Sequence, residues 1–171
     1  HFEESLSKLI SHANRHGHML ALLIIDLDKF KNVNDTFGHQ VGDLLLQAVG
    51  KRLESALRKG DLVSRIGGDE FAVILNEIKS THAAGIVASK IIHDINKPYT
   101  LVQGKRIHIG ASIGIACYPM IGASDDDLIK SADIAMYRAK NSNELKYTYA
   151  TVELQKDHVK RLDIETELEQ A

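Results

Sequence analysis

Four acidic residues of this sequence form two pairs, each beside a strongly apolar segment. Asp26 and Asp28 follow one apolar run, and Asp69 and Glu70 directly precede another. If the fold brings the two pairs together, their charges repel one another unless a cation lies between them. Carboxylate oxygens favour Mg²⁺ or Mn²⁺, and Mg²⁺ is commonly bound by a few carboxylates together with substrate phosphates. The pattern therefore indicates metal-assisted phosphate chemistry, in which bound metals activate an attacking hydroxyl group and stabilise a leaving pyrophosphate.

Small and basic residues near these acids suit a charged ligand. Gly67 and Gly68 immediately precede Asp69 and would let a bulky anion approach the backbone closely. Lys31 and Lys140 could neutralise phosphate charge. Each feature also has an ordinary structural explanation, because acidic residues and glycines form turns and caps, and lysines are usually solvated surface charges. The combination, rather than any single residue, indicates a site.

The elements that position these residues follow from the hydrophobic pattern. Residues 19–25 (MLALLII) form a continuous apolar run that ends at Asp26, which predicts a central strand covered on both faces. The glycine pair between two apolar runs predicts a hairpin. Residues 28–42 are polar and predict turns, with Asn34 as a turn former, and Asp43 is predicted to cap the helix that follows. The predicted helices are 3–16, 43 onward, 81–95 and 125–140, and the predicted strands are 19–25, 62–66, 71–75, 107–117 and 147–150.

This order of elements predicts an α+β fold of the ferredoxin-like or palm type. Its βαββαβ core has an antiparallel-containing central sheet flanked by helices, with an extra helix and an edge strand. In this topology the first strand and the hairpin are central neighbours, so the two acidic pairs can converge. We expect the helices to pack on one face of the sheet. Because this architecture hosts many activities, the function has to be argued from the site.

Composition limits the classes of protein to consider. The 171 residues are 44% hydrophobic and 26% charged, as in one soluble globular domain. The formal net charge of -2 implies no general polyanion-binding surface, so no nucleic-acid partner is expected. The single cysteine, Cys117, excludes an internal disulfide and is predicted to be a packed core thiol. No apolar stretch reaches the roughly 20 residues of a membrane span.

Four sequence blocks carry a resemblance to a known family. Residues 67–71 read GGDEF, within the longer segment RIGGDEFAVIL. The other blocks are DLDKFKNVNDTFGHQVGD at 26–43, SIGIACYP at 112–119 and ADIAMYRAK at 132–140. In order and spacing these blocks resemble the GGDEF domain of the diguanylate cyclases, over most of the chain. The resemblance implies condensation of two GTP molecules into cyclic di-GMP, with release of two pyrophosphates.

The resemblance also implies a role for each matching residue. The implied ligands of Mg²⁺ or Mn²⁺ are Asp26, the Leu27 carbonyl and Asp69. The implied catalytic residues are Asp69, Glu70 and Lys31. The implied substrate-binding residues are Asn34 and Asp43 for guanine, Gly67 and Gly68 for the nucleotide, and Lys140 for phosphate. His39 lies within a matching block and receives no catalytic step.

Two further features concern regulation. Arg58 and Asp61 form an RxxD pattern at the family's spacing from GGDEF, which resembles the inhibitory site for product cyclic di-GMP. The sequence departs from the family at Glu144, where an arginine that binds phosphate is common. This departure predicts weakened triphosphate binding, for which Lys146 would substitute through a shift in register.

The resemblance implies more than one overall role. A GGDEF domain at 1–151 would work as a homodimer in the bacterial cytoplasm, and 152–171 would be a linker helix toward a missing domain, such as an EAL phosphodiesterase. A fused sensory module and a membrane-anchored parent are compatible with this hypothesis. The alternatives are a catalytically weak or inactive domain that binds GTP and regulates an EAL neighbour, and a cyclic di-GMP receptor that acts only through Arg58 and Asp61.

Overall fold

The computed structural model describes residues 1–151, and the predicted linker helix at 152–171 lies outside them. Within the described part, helices and strands follow one another with short connections. The elements are α1 (Phe2–His16), β1 (Met19–Asp28), α2 (Phe30–Phe37), α3 (His39–Ala56), β2 (Leu62–Gly67), β3 (Glu70–Ile78), α4 (Thr81–Ile95), β4 (Tyr99–Val102), β5 (Lys105–Ile107), β6 (Gly110–Tyr118), α5 (Asp125–Lys140) and β7 (Tyr147–Tyr149).

The main sheet has five strands in the order β2-β3-β1-β6-β7. β1 is antiparallel to β3 and to β6, while β7 adds parallel to β6 at the edge. Asp26 lies directly opposite Glu70 on one neighbouring strand and opposite Ser112 on the other. The predicted α+β fold with a palm-type sheet is therefore confirmed, and so is the convergence of the strand end with the hairpin.

Side chains of β1 alternate between two hydrophobic layers, which explains why its apolar run is continuous. Leu23 and Ile25 belong to the layer beneath α3 and α4, and Leu22 and Ile24 belong to the layer that contains residues of α1 and α5. The expectation of helices on one face is right for the crossover helices α3 and α4 and incomplete for the domain, because α1 and α5 cover the other face.

Cys117 is buried, and burial raises its thiol pKa to about 11, as expected of a packed core thiol.

The segment between β1 and α3 differs from its prediction. Residues 30–37 form α2 rather than a series of turns, because Val33 is buried and Phe30 and Phe37 pack against the core. Gly38, with a φ of 92°, separates α2 from α3. The predicted capping role of Asp43 is wrong, since α3 begins at His39 and Asp43 lies one turn inside it.

Two strand boundaries also differ. β1 continues through Asp28, three residues beyond the apolar run, because Asp26 still pairs with both neighbouring strands and Leu27 and Asp28 still pair with β6. The predicted strand 107–117 is two strands in different sheets: β5 pairs with β4 in a small hairpin, and β6 begins at Gly110.

Among the described residues, no helix is both long enough and apolar enough to span a membrane.

Candidate active site

Asp26 is the buried centre of the site. Its side chain is 8% exposed, and Oδ2 accepts a hydrogen bond from the Lys140 ammonium group at the end of α5. The other oxygen, Oδ1, is buried and has no hydrogen-bond partner. Burial raises the pKa of Asp26, the contact with Lys140 opposes that increase, and the charge of Asp69 adds to it. A buried carboxylate oxygen that lacks a donor is suited to a cation.

The hairpin supplies two more carboxylates to the same place. Glu70 starts β3 opposite Asp26, and the backbone N–H of Leu27 donates to the Asp69 carbonyl at 3.2 Å, which joins the turn to the end of β1. Burial raises the pKa of Glu70, with further increases from the charges of Asp133, Asp26 and Asp69. The arrangement concentrates negative charge, and the Lys140 ammonium group offsets part of it at both Asp26 and Glu70.

The turn between β2 and β3 is open above its glycines. A Cβ atom added at Gly67 or Gly68 would meet no heavy atom within 4 Å. The Arg65 side chain stabilises the turn, because its Nε donates a hydrogen bond to the Gly68 carbonyl at 2.9 Å. A ligand can therefore approach the turn backbone directly beside the carboxylates.

These residues fit a divalent metal ion. Asp26 offers an unpartnered buried oxygen, Asp69 stands beside it, and repulsion among the carboxylates decreases when a cation binds. A site with few carboxylates and open space suits Mg²⁺ or Mn²⁺, whose remaining ligands are commonly water and substrate phosphate oxygens. Such a site can support displacement at a phosphate group.

The two predicted guanine-binding residues lie on neighbouring helices, Asn34 on α2 and Asp43 on α3. Gly42 approaches Asn34 so closely that a Cβ at position 42 would overlap the Asn34 amide, and Asp43 follows directly. Asp43 also lines a groove of about 450 Å³ between α3 and the β2–β3 hairpin, with Arg65 and Phe71. An amide and a carboxylate offer both donors and acceptors to the edge of a base.

A second groove opens on the other side of the β1 end. It has a volume of about 620 Å³, and Asp28, Lys29, Arg106 and Lys146 are among the residues that line it. Asp28 accepts a hydrogen bond from Ser112 Oγ at 2.7 Å, and its Oδ2 lies 3.6 Å from Lys146 Nζ. Lys146 therefore pairs with Asp28, two residues along β1 from Asp26 and thus beside the acidic centre that Asp26, Asp69 and Glu70 form.

Other predicted residues lie apart from the acidic centre. Lys31 is exposed on α2 and pairs with no acidic group of residues 1–151. Glu144 is exposed, and none of the ion pairs within that range includes it. Arg58 and Asp61 lie in a turn that hydrogen bonds stabilise. Asp61 Oδ2 accepts from the Arg58 backbone N–H at 3.1 Å, and Arg58 Nη2 donates to the Asn76 carbonyl at 2.8 Å.

Several contributors to the site were missed from the sequence. They are Arg65 behind the glycine turn, Ser112 beside Asp28, and Asp133, whose charge acts on Glu70. Asp133 stands seven residues before Lys140, which puts both on one face of α5. That spacing was a usable signal, whereas the Arg65 contact has no counterpart in the local sequence.

A palm-type sheet that presents carboxylates at the end of its central strand, beside an open turn, is the architecture of metal-dependent nucleotidyltransferases. The family model described as "Diguanylate cyclase, GGDEF domain" matches residues 1–146. The chain belongs to the GGDEF family, as the sequence resemblance predicted.

Relatives and solved structures agree with this assignment. Diguanylate cyclase TpbB of Pseudomonas aeruginosa is 42% identical over 139 residues, which is 81% of this chain and 32% of that protein. The bifunctional diguanylate cyclase/cyclic di-GMP phosphodiesterase MucR of the same species is 37% identical over 169 residues, or 99% of this chain and 24% of that protein. The crystal structure of the TpbB GGDEF domain has a TM-score of 0.85 at 40% identity, covering 88% of this chain and 94% of that one. The chain spans about a third or less of the curated relatives described here.

Proposed function

We propose that this chain is a diguanylate cyclase domain that condenses two GTP molecules into cyclic di-GMP with Mg²⁺ or Mn²⁺. The observation that carries the proposal is the unpartnered buried oxygen of Asp26, which lies beside Asp69 and Glu70 under an open glycine turn. Relatives named diguanylate cyclases support the same substrate. Since GTP is a cytosolic nucleotide, the domain would act in the bacterial cytoplasm.

Each residue has a defined part in this proposal. Asp26, the Leu27 carbonyl and Asp69 hold the metal, which when bound supplies positive charge to the phosphates. Asn34 and Asp43 hydrogen-bond guanine, whose placement fixes the distance between the reacting groups. Gly67 and Gly68 leave room for the nucleotide, and Lys140 and Lys31 neutralise phosphate charge.

The reaction is two displacements at phosphorus. Each 3′-hydroxyl oxygen bonds to the α-phosphorus of the other GTP, and the bond from that phosphorus to the bridging oxygen of pyrophosphate breaks. Asp69 takes the hydroxyl proton, and Glu70 completes the acidic surroundings. Catalysis comes mainly from position and charge neutralisation. One domain holds one GTP, so two domains meet as a homodimer.

Arg58 and Asp61 are proposed to bind product and inhibit the enzyme. Arg58 is 65% exposed while Asp61 is 3% exposed, so the arginine can exchange its contact with the Asn76 carbonyl for a phosphate while the buried aspartate holds the turn. The planar arginine fork suits phosphate oxygens and the edge of guanine.

A second candidate function is a GTP-binding domain that regulates a phosphodiesterase neighbour. One observation favours it: Glu144 stands where the family commonly has arginine. The match to MucR, which extends through 99% of the chain, is compatible with both candidates. The proposed linker at 152–171 and a fused EAL domain belong to this candidate and are compatible with the first one.

Product formation from GTP and Mg²⁺ distinguishes the two candidates. The chain at high concentration should produce cyclic di-GMP, and Asp69→Ala should lower the rate by about a hundredfold or more. Asp126→Ala, an exposed acidic residue of α5, is the matched control and should keep the rate. Measurable GTP binding without product in the unaltered chain would instead establish the regulatory function.

A further inference from the structure

A cluster of histidines lies at the opposite end of β1 from the acidic centre. His12 and His16 are on the last turns of α1, and His18 directly precedes β1. Glu77 reaches the same place from β3. Asp26 is eight residues along the chain from His18, so the two places are roughly 25 Å apart. None of these four residues has a role in the proposed cyclase reaction.

The ligand atoms of three of these side chains are already close together. His12, His18 and Glu77 form a group of three whose ligand atoms all lie within 4.8 Å of one another, close enough to hold a metal ion. Glu77 Oε1 is 3.4 Å from His18 Nδ1 and 3.9 Å from His12 Nε2. Ligand atoms about 2.0–2.2 Å from a tetrahedral metal are roughly 3.3–3.6 Å apart, so the His18–Glu77 separation already matches and the His12–Glu77 separation is slightly longer.

The backbone is irregular where it presents Glu77. The pairing of β1 with β3 shifts between Met19 and Ala21, which leaves Asn76 and Glu77 opposite a single residue. Glu77 has a φ of 50°, a left-handed conformation that costs a residue with a side chain about 1–2 kcal/mol. Bulges of this kind redirect a side chain, and strain of this kind is commonly found at ligand sites.

The three histidine rings of the cluster pack against one another. His18 Nδ1 is buried and has no hydrogen bond, although Glu77 is near it. His16 Nδ1 donates to the His12 carbonyl at 2.9 Å, and its ring lies 4.2 Å from the His12 ring, so His16 supports the position of His12. One carboxylate cannot neutralise three protonated imidazoles, whereas neutral imidazoles can share one metal ion with it.

We propose that His12 Nε2, His18 Nδ1 and the Glu77 carboxylate form a binding site for Zn²⁺. Two imidazole nitrogens and one carboxylate oxygen are a zinc donor set, whereas Mg²⁺ prefers oxygen ligands alone. The three side chains are 36% to 54% exposed, so the fourth position of the ion is open to water or to an exchangeable ligand. The site is separate from the proposed Mg²⁺ site at Asp26.

Zinc titration of the tag-free chain in millimolar Mg²⁺ tests the proposal. Calorimetry should show one equivalent of Zn²⁺ bound, and His18→Ala and Glu77→Gln should each weaken binding by about tenfold or more. His82→Ala, an exposed histidine of α4, is the matched control and should bind as the unaltered chain does. Co²⁺ in place of Zn²⁺ should give visible absorption bands that His18→Ala abolishes and His82→Ala retains.

Asp69→Asn shows which of the two sites takes zinc. The zinc isotherm should survive in Asp69→Asn, because the cluster is distant from the acidic centre. Equal zinc binding by His18→Ala, Glu77→Gln and the unaltered chain would overturn the proposal, and so would loss of the isotherm in Asp69→Asn. Circular dichroism of each variant establishes that it is folded, and the exposed Glu77 provides a substitution outside the core.

Discussion

Asp26 and Glu70 lie directly opposite one another on neighbouring antiparallel strands, where like charges are unfavourable. The pKa of Glu70 is raised by burial and by nearby carboxylates. Replacement of Glu70 by Gln removes one charge and keeps the shape. Without metal, Glu70→Gln should therefore increase the free energy of unfolding by about 0.2–1 kcal/mol at neutral pH. Urea denaturation with and without Mg²⁺ measures this change.

The difference in free energy of unfolding between Glu70→Gln and the unaltered chain depends on pH, because proton binding to Glu70 is coupled to folding. Because the pKa of Glu70 is higher in the folded protein than in the unfolded one, the folded state holds the proton more tightly. The cost of ionised Glu70 is present above the raised pKa and is lost as the pH falls toward the ordinary value of about 4.3. The stability advantage of Glu70→Gln should thus shrink on acidification and in Mg²⁺. An advantage independent of both would contradict the electrostatic explanation.

Lys146 and Glu144 differ in position as well as in charge. Lys146 is 3.6 Å from Asp28 beside the acidic centre, whereas Glu144 is exposed. Lys146→Ala should weaken GTP binding by about 1 kcal/mol, roughly a fivefold increase in Kd, and Glu144→Arg should strengthen it by a smaller factor. Binding of a non-hydrolysable GTP analogue in Mg²⁺ gives both values.

Lys130→Ala is the matched control for the lysine substitution. Lys130 is exposed on α5, ten residues before Lys140 and so about 15 Å away along the helix. Its substitution should leave the Kd unchanged. If Glu144→Arg tightened binding while Lys146→Ala had no effect, the arginine position would be vacant in this chain and Lys146 would not replace it.

At the scale of elements, α5 lies unusually close to the sheet and carries Lys140 into the site. A Cβ atom at Gly114 of β6 would overlap the Ala132 carbonyl oxygen and the backbone of Met136. Gly114→Ala should therefore destabilise the domain by about 1–3 kcal/mol or more, which lowers Tm by about 2–4 °C per kcal/mol. Calorimetric melting checks the value.

Gly50→Ala is the matched control for Gly114→Ala, because at Gly50 the added Cβ has room. Gly50 lies inside α3, and an added Cβ would meet only Phe71 Cε1, at 3.8 Å. Alanine in a helix interior is favoured over glycine by about 0.5–1 kcal/mol, so this variant should be as stable as the unaltered chain or more stable. Equal losses in the two variants would show that α5 shifts away from the sheet at little cost.

The elements also show how much of the fold the sequence determines. β1, α4 and α5 were predicted because their apolar patterns are strong and their limits are marked by polar or turn residues. α2 was missed because Val33 is its one buried side chain and the rest of its sequence reads as turns. The boundary between β5 and β6 was missed because Ile107 and Ile109 are both buried and continue one apolar pattern across two sheets.

The site residues, like the elements, could be predicted where a local sequence pattern marks them and not where they depend on contacts of the folded chain. Asp26, Asp69 and Glu70 were predicted because their positions at strand ends place them together in this topology. Arg65, which contacts Gly68, and the ion pair of Lys146 with Asp28 depend on side-chain directions that no local pattern encodes. The left-handed conformation of Glu77 arises from a bulge between paired strands, so it too becomes visible only in the folded chain.

For the whole molecule, the proposed reaction needs two copies of the domain, because each copy presents one acidic centre and cyclic di-GMP has two identical linkages. The glycine turn and its surroundings are open to solvent, which leaves room for a second domain to face the first. If the chain associates weakly, the fraction of dimer rises with concentration by mass action. Cyclic di-GMP production per chain should then rise nearly in proportion to protein concentration.

Fusion of a parallel two-stranded coiled coil ahead of His1 separates association from catalysis. By raising the effective concentration of one domain around the other, the fusion should increase activity per chain at low concentration and remove most of its concentration dependence. The same fusion carrying Asp69→Ala should stay inactive, which shows that the gain comes from the acidic centre. If the unfused chain kept constant activity per chain over about a hundredfold dilution, a single domain would suffice for catalysis and the homodimer proposal would be wrong.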